Sequence, residues 1–317
     1  MTRSVVLGGS GFIGGQLVKH LVGLGQEVSI YCRTARPIEP LADRVRVVHG
    51  DFTTGEGLGE ALEGIDHCYH LISTTIPSSS IVDPTLDIET NLRATVRLLE
   101  LSRSAGLKKI IFCSSGGTVY GNPKTVPIGE EHPLWPLNPY GIVKAAIEQY
   151  LNMYSILYGL DYAIARLSNP YGDGQSSASL GAVNIFASRA LQDETIEIWG
   201  DGAVVRDFLH IDDAVRGLAA VAQHEGPHRV FNIGSGEGHS LKQVLAVIKK
   251  AIGRDIRVEF QQSRGFDVPT NVLSIARARE QLGWRPEVSL EEGIERTIAW
   301  LRTKSAHHEP MTKSPHG

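Results

Sequence analysis

Ser4-Val5-Val6-Leu7-Gly8-Gly9-Ser10-Gly11-Phe12-Ile13-Gly14 joins a short apolar run to a segment of helical pattern that continues to about Leu24. Between the two, glycines at 8, 11 and 14 permit a tight turn, close approach of backbone to a pyrophosphate, and close packing of helix on strand. The free amides at such a helix entrance also attract phosphate. A strand, a glycine turn and a helix in that order read as the opening of a dinucleotide site; the competing reading is a plain turn.

Short apolar runs recur near 4–7, 28–32, 45–49, 66–70, 109–113 and 161–166, with amphipathic segments between them. This alternation predicts an α/β fold, a doubly wound parallel sheet with helices on both faces. The second run, Val28-Ser29-Ile30-Tyr31-Cys32-Arg33, should end at the adenosine ribose. A carboxylate at that point suits NAD and an arginine suits the extra phosphate of NADP. Here Cys32 stands where the acid is expected, followed by Arg33 and Arg36, which tilts the choice slightly towards NADP; the cofactor expected is NAD, with NADP possible because of Arg33. Asp51, after the third run, either accepts a hydrogen bond from adenine or caps a turn.

The chain has 317 residues, a formal charge of -4 and three cysteines. That length suits one large α/β domain or two intimate lobes. Lysines and arginines are scattered, which argues against nucleic acid or an anionic membrane as partner. No apolar run approaches membrane-spanning length, and a strand pattern begins at Ser4, so a cytoplasmic location is expected. Cys32, Cys68 and Cys113 show no metal-ligand or CxxC spacing and read as reduced, buried thiols, and no metal site is expected. From about Thr303 periodicity is lost, and a frayed tail over 303–317 is expected.

Asn138-Pro139-Tyr140-Gly141-Ile142-Val143-Lys144 places a tyrosine and a lysine four residues apart, on one face of a helix that Asn138 can cap and Pro139 can start. A phenol ionises near pH 10, so it serves as a base at neutral pH only if cations steady the phenolate. Lys144 and a nicotinamide cation together would have to supply a shift of about 3 units. The pair alone is a common coincidence, and the rest of the chain gives it meaning.

Taken together, the glycine trio, Gly50-Asp51, His70-Leu71-Ile72-Ser73, Asn91 before a leucine-rich helix, Ser114-Ser115-Gly116-Gly117-Thr118-Val119-Tyr120-Gly121 and Tyr140xxxLys144 resemble the extended short-chain dehydrogenase/reductases. The nucleotide-sugar epimerase/dehydratase group is the nearest in pattern. The likeness continues through Arg166-Leu167-Ser168-Asn169-Pro170-Tyr171-Gly172, Arg206-Asp207-Phe208, Asn232-Ile233-Gly234, Arg264-Gly265-Phe266-Asp267 and Leu282-Gly283-Trp284, covering residues 4 to about 302.

The resemblance implies a Rossmann domain formed by 1–170 plus about 208–239, and a sugar-nucleotide lobe formed by about 171–207 and 240–302. It implies a dinucleotide held by Gly8, Gly11, Phe12, Ile13, Gly14, Arg33, Asp51, Phe52, Leu71, Ile72, Ser73, Asn91 and Ser114, with Tyr140 and Lys144. A nucleotide sugar, UDP-linked, would meet Asn169, Arg206, Arg264, Asp267 and, near the sugar's carbon 2, Asn271, whose small side chain would admit N-acetylated hexoses. Family dimers pair two helices, so a homodimer is expected through 85–105 and 139–158, with Leu92, Val96 and Leu99 on one helix and Val143, Ile147, Tyr150 and Tyr154 on the other.

The chain departs from the pattern at Gly116, where relatives place a serine or threonine to shuttle the proton. Thr118, two residues on in an extended segment, or Ser115, adjacent, could replace it, with Thr118 preferred. The implied activity is 4-epimerisation of a nucleotide sugar through a transient 4-keto sugar. The alternatives are an NADPH-dependent 4-keto reductase, a dehydratase, which Gly116-Gly117 disfavours for want of carboxylates, and a non-catalytic dinucleotide sensor.

Overall fold

Short, nearly continuous runs of buried side chains, rich in β-branched and aromatic residues, build the first six strands: β1 (Arg3–Leu7), β2 (Glu27–Cys32), β3 (Val45–His49), β4 (His67–His70), β5 (Lys109–Ser115) and β6 (Asp161–Leu167). They are followed by β7 (Asn169–Tyr171), β8 (Ile196–Trp199), β9 (Val205–Arg206), β10 (Phe208–His210), β11 (Val230–Ile233), β12 (His239–Ser240), β13 (Val258–Gln261) and β14 (Thr270–Asn271). These come from a computed structural model, in which residues 1–34, 41–175, 181–262 and 268–306 are described. Arg36, Arg264 and Asp267 lie outside the described residues.

Seven strands form one parallel sheet in the order β11-β6-β5-β4-β1-β2-β3. The chain winds outward from β1 in one direction and resumes at β4 in the other, so the strand order reverses between β1 and β4. That reversal opens a crevice beyond the carboxyl ends of the strands. Successive side chains of β1 feed opposite layers: Val6 packs with Leu17, Leu21 and Leu218, whereas Val5 and Leu7 pack with Leu98, Leu99 and Ile147. A third core, containing Val183, Ile196, Phe208, Ile248 and Ile294, belongs to a smaller layer with the β8–β13 pair and the β12-β9-β14 sheet.

A buried polar network ties the large sheet to the helix Pro139–Tyr158. The Arg166 guanidinium donates to Glu148 through Nη2 at 2.6 Å and Nε at 3.1 Å, and its Nη1 donates to the Tyr120 hydroxyl at 2.9 Å. Tyr120 in turn donates to Asn232 Oδ1 at 2.6 Å, which links the turn after β5 to β6 and β11. The three cysteines are free and buried, as the composition suggests.

Three expectations need correction. The segment 85–105 is not one helix: a turn Pro84–Asp87 leads into a π-helical stretch Ile88–Arg93 before the regular helix Ala94–Ala105. The wider turn lets Asn91 donate to Asp87 Oδ1 and to the hydroxyls of Thr74 and Thr75, which regular spacing would misdirect. The last helix extends through Ala306, since Leu290, Ile294, Ile298 and Leu301 continue its buried stripe; 307–317 lie outside the described residues. The apolar residues named for pairing between copies mostly serve this chain's own core: Leu99, Val143, Ile147 and Tyr154 are buried, and Leu92 and Tyr150 pack on the same cluster. The exposed apolar face consists instead of Val82, Leu86, Ile88, Ile142, Ile156 and Leu157.

Removing one partner of the buried pair strands the other charge. Arg166→Leu is expected to lower unfolding free energy by about 3–5 kcal/mol, and Glu148→Leu in the same chain to recover much of that loss. Urea titration followed by circular dichroism reads both.

Candidate active site

The crevice begins with the glycine turn. Gly8 has φ +85°, and a Cβ at Gly14 would stand 2.2 Å from the Gly8 carbonyl oxygen, so helix and strand meet at backbone distance. The helix Phe12–Gly23 starts at Gly11 without a side-chain cap, leaving its first amides for a phosphate. Leu71 and Ile72, just past β4, press on Gly8, and Gly8 N donates to Tyr31 O at 2.9 Å. These glycines form a cradle that any side chain would fill, and they fit a dinucleotide. Phe12 and Ile13 pack on the core beneath it, and Phe52 is buried against His70, so its ring is structural.

At the adenosine end, Cys32 closes β2 with its thiol against the Ser10 hydroxyl, and burial pushes that thiol up from its ordinary value. Arg33 follows, exposed. Asp51 Oδ1 accepts from Thr53 N at 2.8 Å and from the Thr53 hydroxyl at 2.6 Å, which holds its carboxyl below the usual range. One of its oxygens therefore does cap a turn.

At the other end the helix Pro139–Tyr158 delivers Tyr140 and Lys144. Asn138 Oδ1 accepts from Gly141 N at 2.8 Å, and Pro139 occupies the first turn. Lys144 is 5 % exposed; its Nζ donates to Cys113 O at 2.9 Å and lies 5.5 Å from the centre of the Tyr140 ring. Burial depresses the ammonium and raises the phenol above its ordinary value, with Cys113 and Asp87 raising Tyr140 further. The hydroxyls of Ser115 and Ser73 hydrogen-bond the phenol and pull the other way. The phenol thus stands above its ordinary value in the protein alone, and the nicotinamide cation expected beside Lys144 would act against that burial.

Of the two hydroxyls weighed for Gly116, Ser115 is the one that hydrogen-bonds the Tyr140 phenol. β5 ends at Ser115 and the chain turns at once, with Thr118 N donating to Ser115 O at 3.1 Å, so the two-residue alternation behind the preference for Thr118 does not hold. Thr118 Oγ1 is buried without a partner. Gly116 itself is enforced: a Cβ there would stand 2.6 Å from Cδ1 of the fully buried Leu273. Ser114, expected to touch the dinucleotide, turns its hydroxyl to Glu148. Asn91 has its carboxamide committed to Thr74, Thr75 and Asp87, which makes it a support for the wall beside Tyr140.

Two of the substrate candidates, Asn169 and Arg206, line a cleft of about 390 Å³ together with Tyr171, Phe186, Trp199 and Phe208. Asn169 Nδ2 donates to Asp207 O at 2.9 Å, and Arg206 Nη1 to Val205 O at 2.9 Å and Val268 O at 2.7 Å. Asn271 is 1 % exposed; Nδ2 donates to Gly116 O at 3.1 Å and Oδ1 is unpartnered. Sequence reading missed Glu148, although it lies one helical turn past Lys144, and Leu273, whose role depends on a contact 157 positions away.

A glycine-turn dinucleotide cradle and a buried lysine–tyrosine pair on a doubly wound sheet define a nicotinamide-dependent enzyme. The chain belongs to the NAD-dependent epimerase/dehydratase family, whose model matches residues 4–234. It is 36% identical over 312 residues to a UDP-glucose 4-epimerase of Mycolicibacterium smegmatis, covering 96% of this chain and 99% of that protein. It is 35% identical over 236 residues to a dTDP-4-dehydro-6-deoxyglucose reductase of Escherichia coli, covering 74% of each. Among solved structures, the UDP-glucose 4-epimerase of Thermotoga maritima with UDP-glucose superposes with a TM-score of 0.90 at 34% identity, covering 96% of this chain and 100% of that one.

Two outcomes follow from the geometry. Gly116→Ser is expected to lower turnover by about tenfold or more because the new side chain meets Leu273, and Leu273→Ala added to it to restore part of the loss. In protein freed of dinucleotide, the tyrosinate absorbance difference between wild type and Tyr140→Phe should stay flat up to about pH 10, the phenol being raised rather than lowered. Added NAD should bring the step to lower pH.

Proposed function

We propose that this chain is a UDP-hexose 4-epimerase acting through a transient 4-keto sugar, with Tyr140, Ser115 and Lys144 as the catalytic set. The observation that carries the reading is the Tyr140 phenol joined to the Ser115 and Ser73 hydroxyls beside a buried Lys144. The family of the chain and its relatives support it.

Bound NAD supplies a hydride acceptor that becomes the donor when the sugar presents its other face. Gly8, Gly11 and Gly14 would hold its pyrophosphate, and Leu71, Ile72 and Ser73 its nicotinamide end. Tyr140 takes the proton from the sugar's 4-hydroxyl as that carbon is oxidised and returns it when the carbon is reduced. Ser115 passes the proton between sugar oxygen and phenol. Lys144, hydrogen-bonded to Cys113 O, fixes the tyrosine side and favours its phenolate once the ring beside it is cationic. Arg206, with Arg264 of the sequence motif, anchors the diphosphate, so the keto sugar can swing about that anchor while remaining bound.

The dinucleotide is held by 1–170 plus about 208–239, and the remaining segments close on the sugar nucleotide. Asn271, small and tethered to Gly116 O, leaves room at carbon 2 for an N-acetyl group. The exposed face of Val82, Leu86, Ile88, Ile142, Ile156 and Leu157 suits pairing with a second copy, and a cytoplasmic address suits three free thiols.

One observation favours a second reading, a 4-keto reductase consuming NADPH. No carboxylate ends β2; Cys32, Ser10 and the exposed Arg33 stand there instead, and the Escherichia coli relative is named a reductase.

The deciding experiment incubates purified protein with UDP-glucose or UDP-N-acetylglucosamine and identifies products by proton NMR. Formation of the galacto epimer without added cofactor is expected, and Tyr140→Phe should reduce it by about 10²–10⁴-fold. Stoichiometric NADPH loss with a 4-keto sugar, and no epimer, would assign the reductase. Light scattering at micromolar concentration should give the mass of two chains.

A further inference from the structure

Asp207 is completely buried, and four donors from two distant segments meet its carboxylate. Oδ1 accepts from Ser235 N at 2.7 Å and Ser235 Oγ at 2.8 Å; Oδ2 accepts from Gly236 N and Leu273 N, each at 3.2 Å. Its backbone is equally committed. The carbonyl accepts from Asn169 N at 3.0 Å and Asn169 Nδ2 at 2.9 Å, and the amide donates to Asn271 O at 3.1 Å. A Cβ at Gly234 would stand 2.5 Å from Oδ2, so the turn after β11 is shaped around this carboxylate.

Two of the residues so gathered, Asn169 and Arg206, line the cleft. Asp207 follows Arg206 directly; its main-chain carbonyl holds the Asn169 carboxamide, and its amide bonds the strand on which Asn271 lies opposite Arg206 in register. Through Leu273 it also sets the wall against Gly116, next to Ser115. A carboxylate is the only side chain of this size whose oxygens can all accept. Asparagine would turn an NH₂ toward two N–H or O–H donors whichever way it is rotated.

We infer that Asp207 is a positioning residue of the substrate cleft: its carboxylate ties the turn after β11 and Leu273 to the strand that carries Arg206, and so steadies Asn169, Arg206 and Asn271 for a nucleoside diphosphate sugar. The inference rests on the reading of that cleft given above. Asp207 acts through Arg206 and its neighbours and touches neither substrate nor dinucleotide. Its loss should therefore weaken diphosphate binding and leave the dinucleotide and the proton-transfer groups in place.

The test uses the purified enzyme with its dinucleotide and UDP as the calorimetric probe, on wild type, Asp207→Asn, Arg206→Ala and the double variant. Asp207→Asn is expected to weaken UDP by about tenfold and to raise the KM for UDP-glucose similarly. Its kcat should stay within about threefold and its dinucleotide content should not change. In the Arg206→Ala background the same change should cost much less, since the two act as one unit. Should Asp207→Asn fail to fold, Ser235→Ala, which removes one donor, should weaken UDP by about threefold with the same dependence on Arg206. UDP affinity equal to wild type in the folded variant, a loss fully additive with Arg206→Ala, or a fall in kcat and dinucleotide content alongside KM would each overturn the inference. Wild-type enzyme that binds no UDP would overturn the reading of the cleft itself.

Discussion

A lysine ammonium taken out of water with one backbone carbonyl as its hydrogen-bond partner is an unfavourable arrangement, and much of this fold exists to hold it. Lys144 lies between the Phe112 ring, 4.7 Å from its Nζ, and the Tyr140 ring, on a helix whose start is capped by Asn138. Burial disfavours the charged forms of both lysine and tyrosine. His70, nearby and fully buried, is driven down to about 3 and stays neutral. The pocket is thus poised against charge until a cation arrives beside the phenol.

The supports for this pair lie a layer deeper. Glu148 sits one turn beyond Lys144 and answers Arg166 on β6, which reaches Tyr120 and, through it, Asn232 on β11. The same glutamate takes the hydroxyl of Ser114, leaving Ser115, the next residue, to face the phenol. Successive strand residues point to opposite faces, so one serine locks the strand and the other works. The π-helical stretch Ile88–Arg93 serves the opposite wall, where Asn91 binds Asp87, Thr74 and Thr75.

The sheet and the glycine cradle were legible because their signals are local: strand length, the period of apolar residues, glycines at fixed offsets. The Tyr140–Lys144 pair was legible for the same reason, as four residues make one helical turn. What could not be read depended on partners far along the chain. Thr118 looked right only while the backbone after Ser115 was taken as extended, and Gly116 looked like a loss until Leu273 was found in its place. The apolar residues of the paired helices could be counted, but not divided between the inner core and the outer face. Asp207 reads in sequence as one acid among many, because nothing local marks a carboxylate that serves Ser235, Gly236 and Leu273 at once.

Leu273 has a mechanical consequence as well. It is fully buried with Val119, Tyr120 and Ile128, abuts Gly116, and is pinned by its amide to Asp207. Main chain, carboxylate and leucine side chain meet there without slack, so the seam between the two layers is stiffest at Gly116, beside the serine that hydrogen-bonds the phenol.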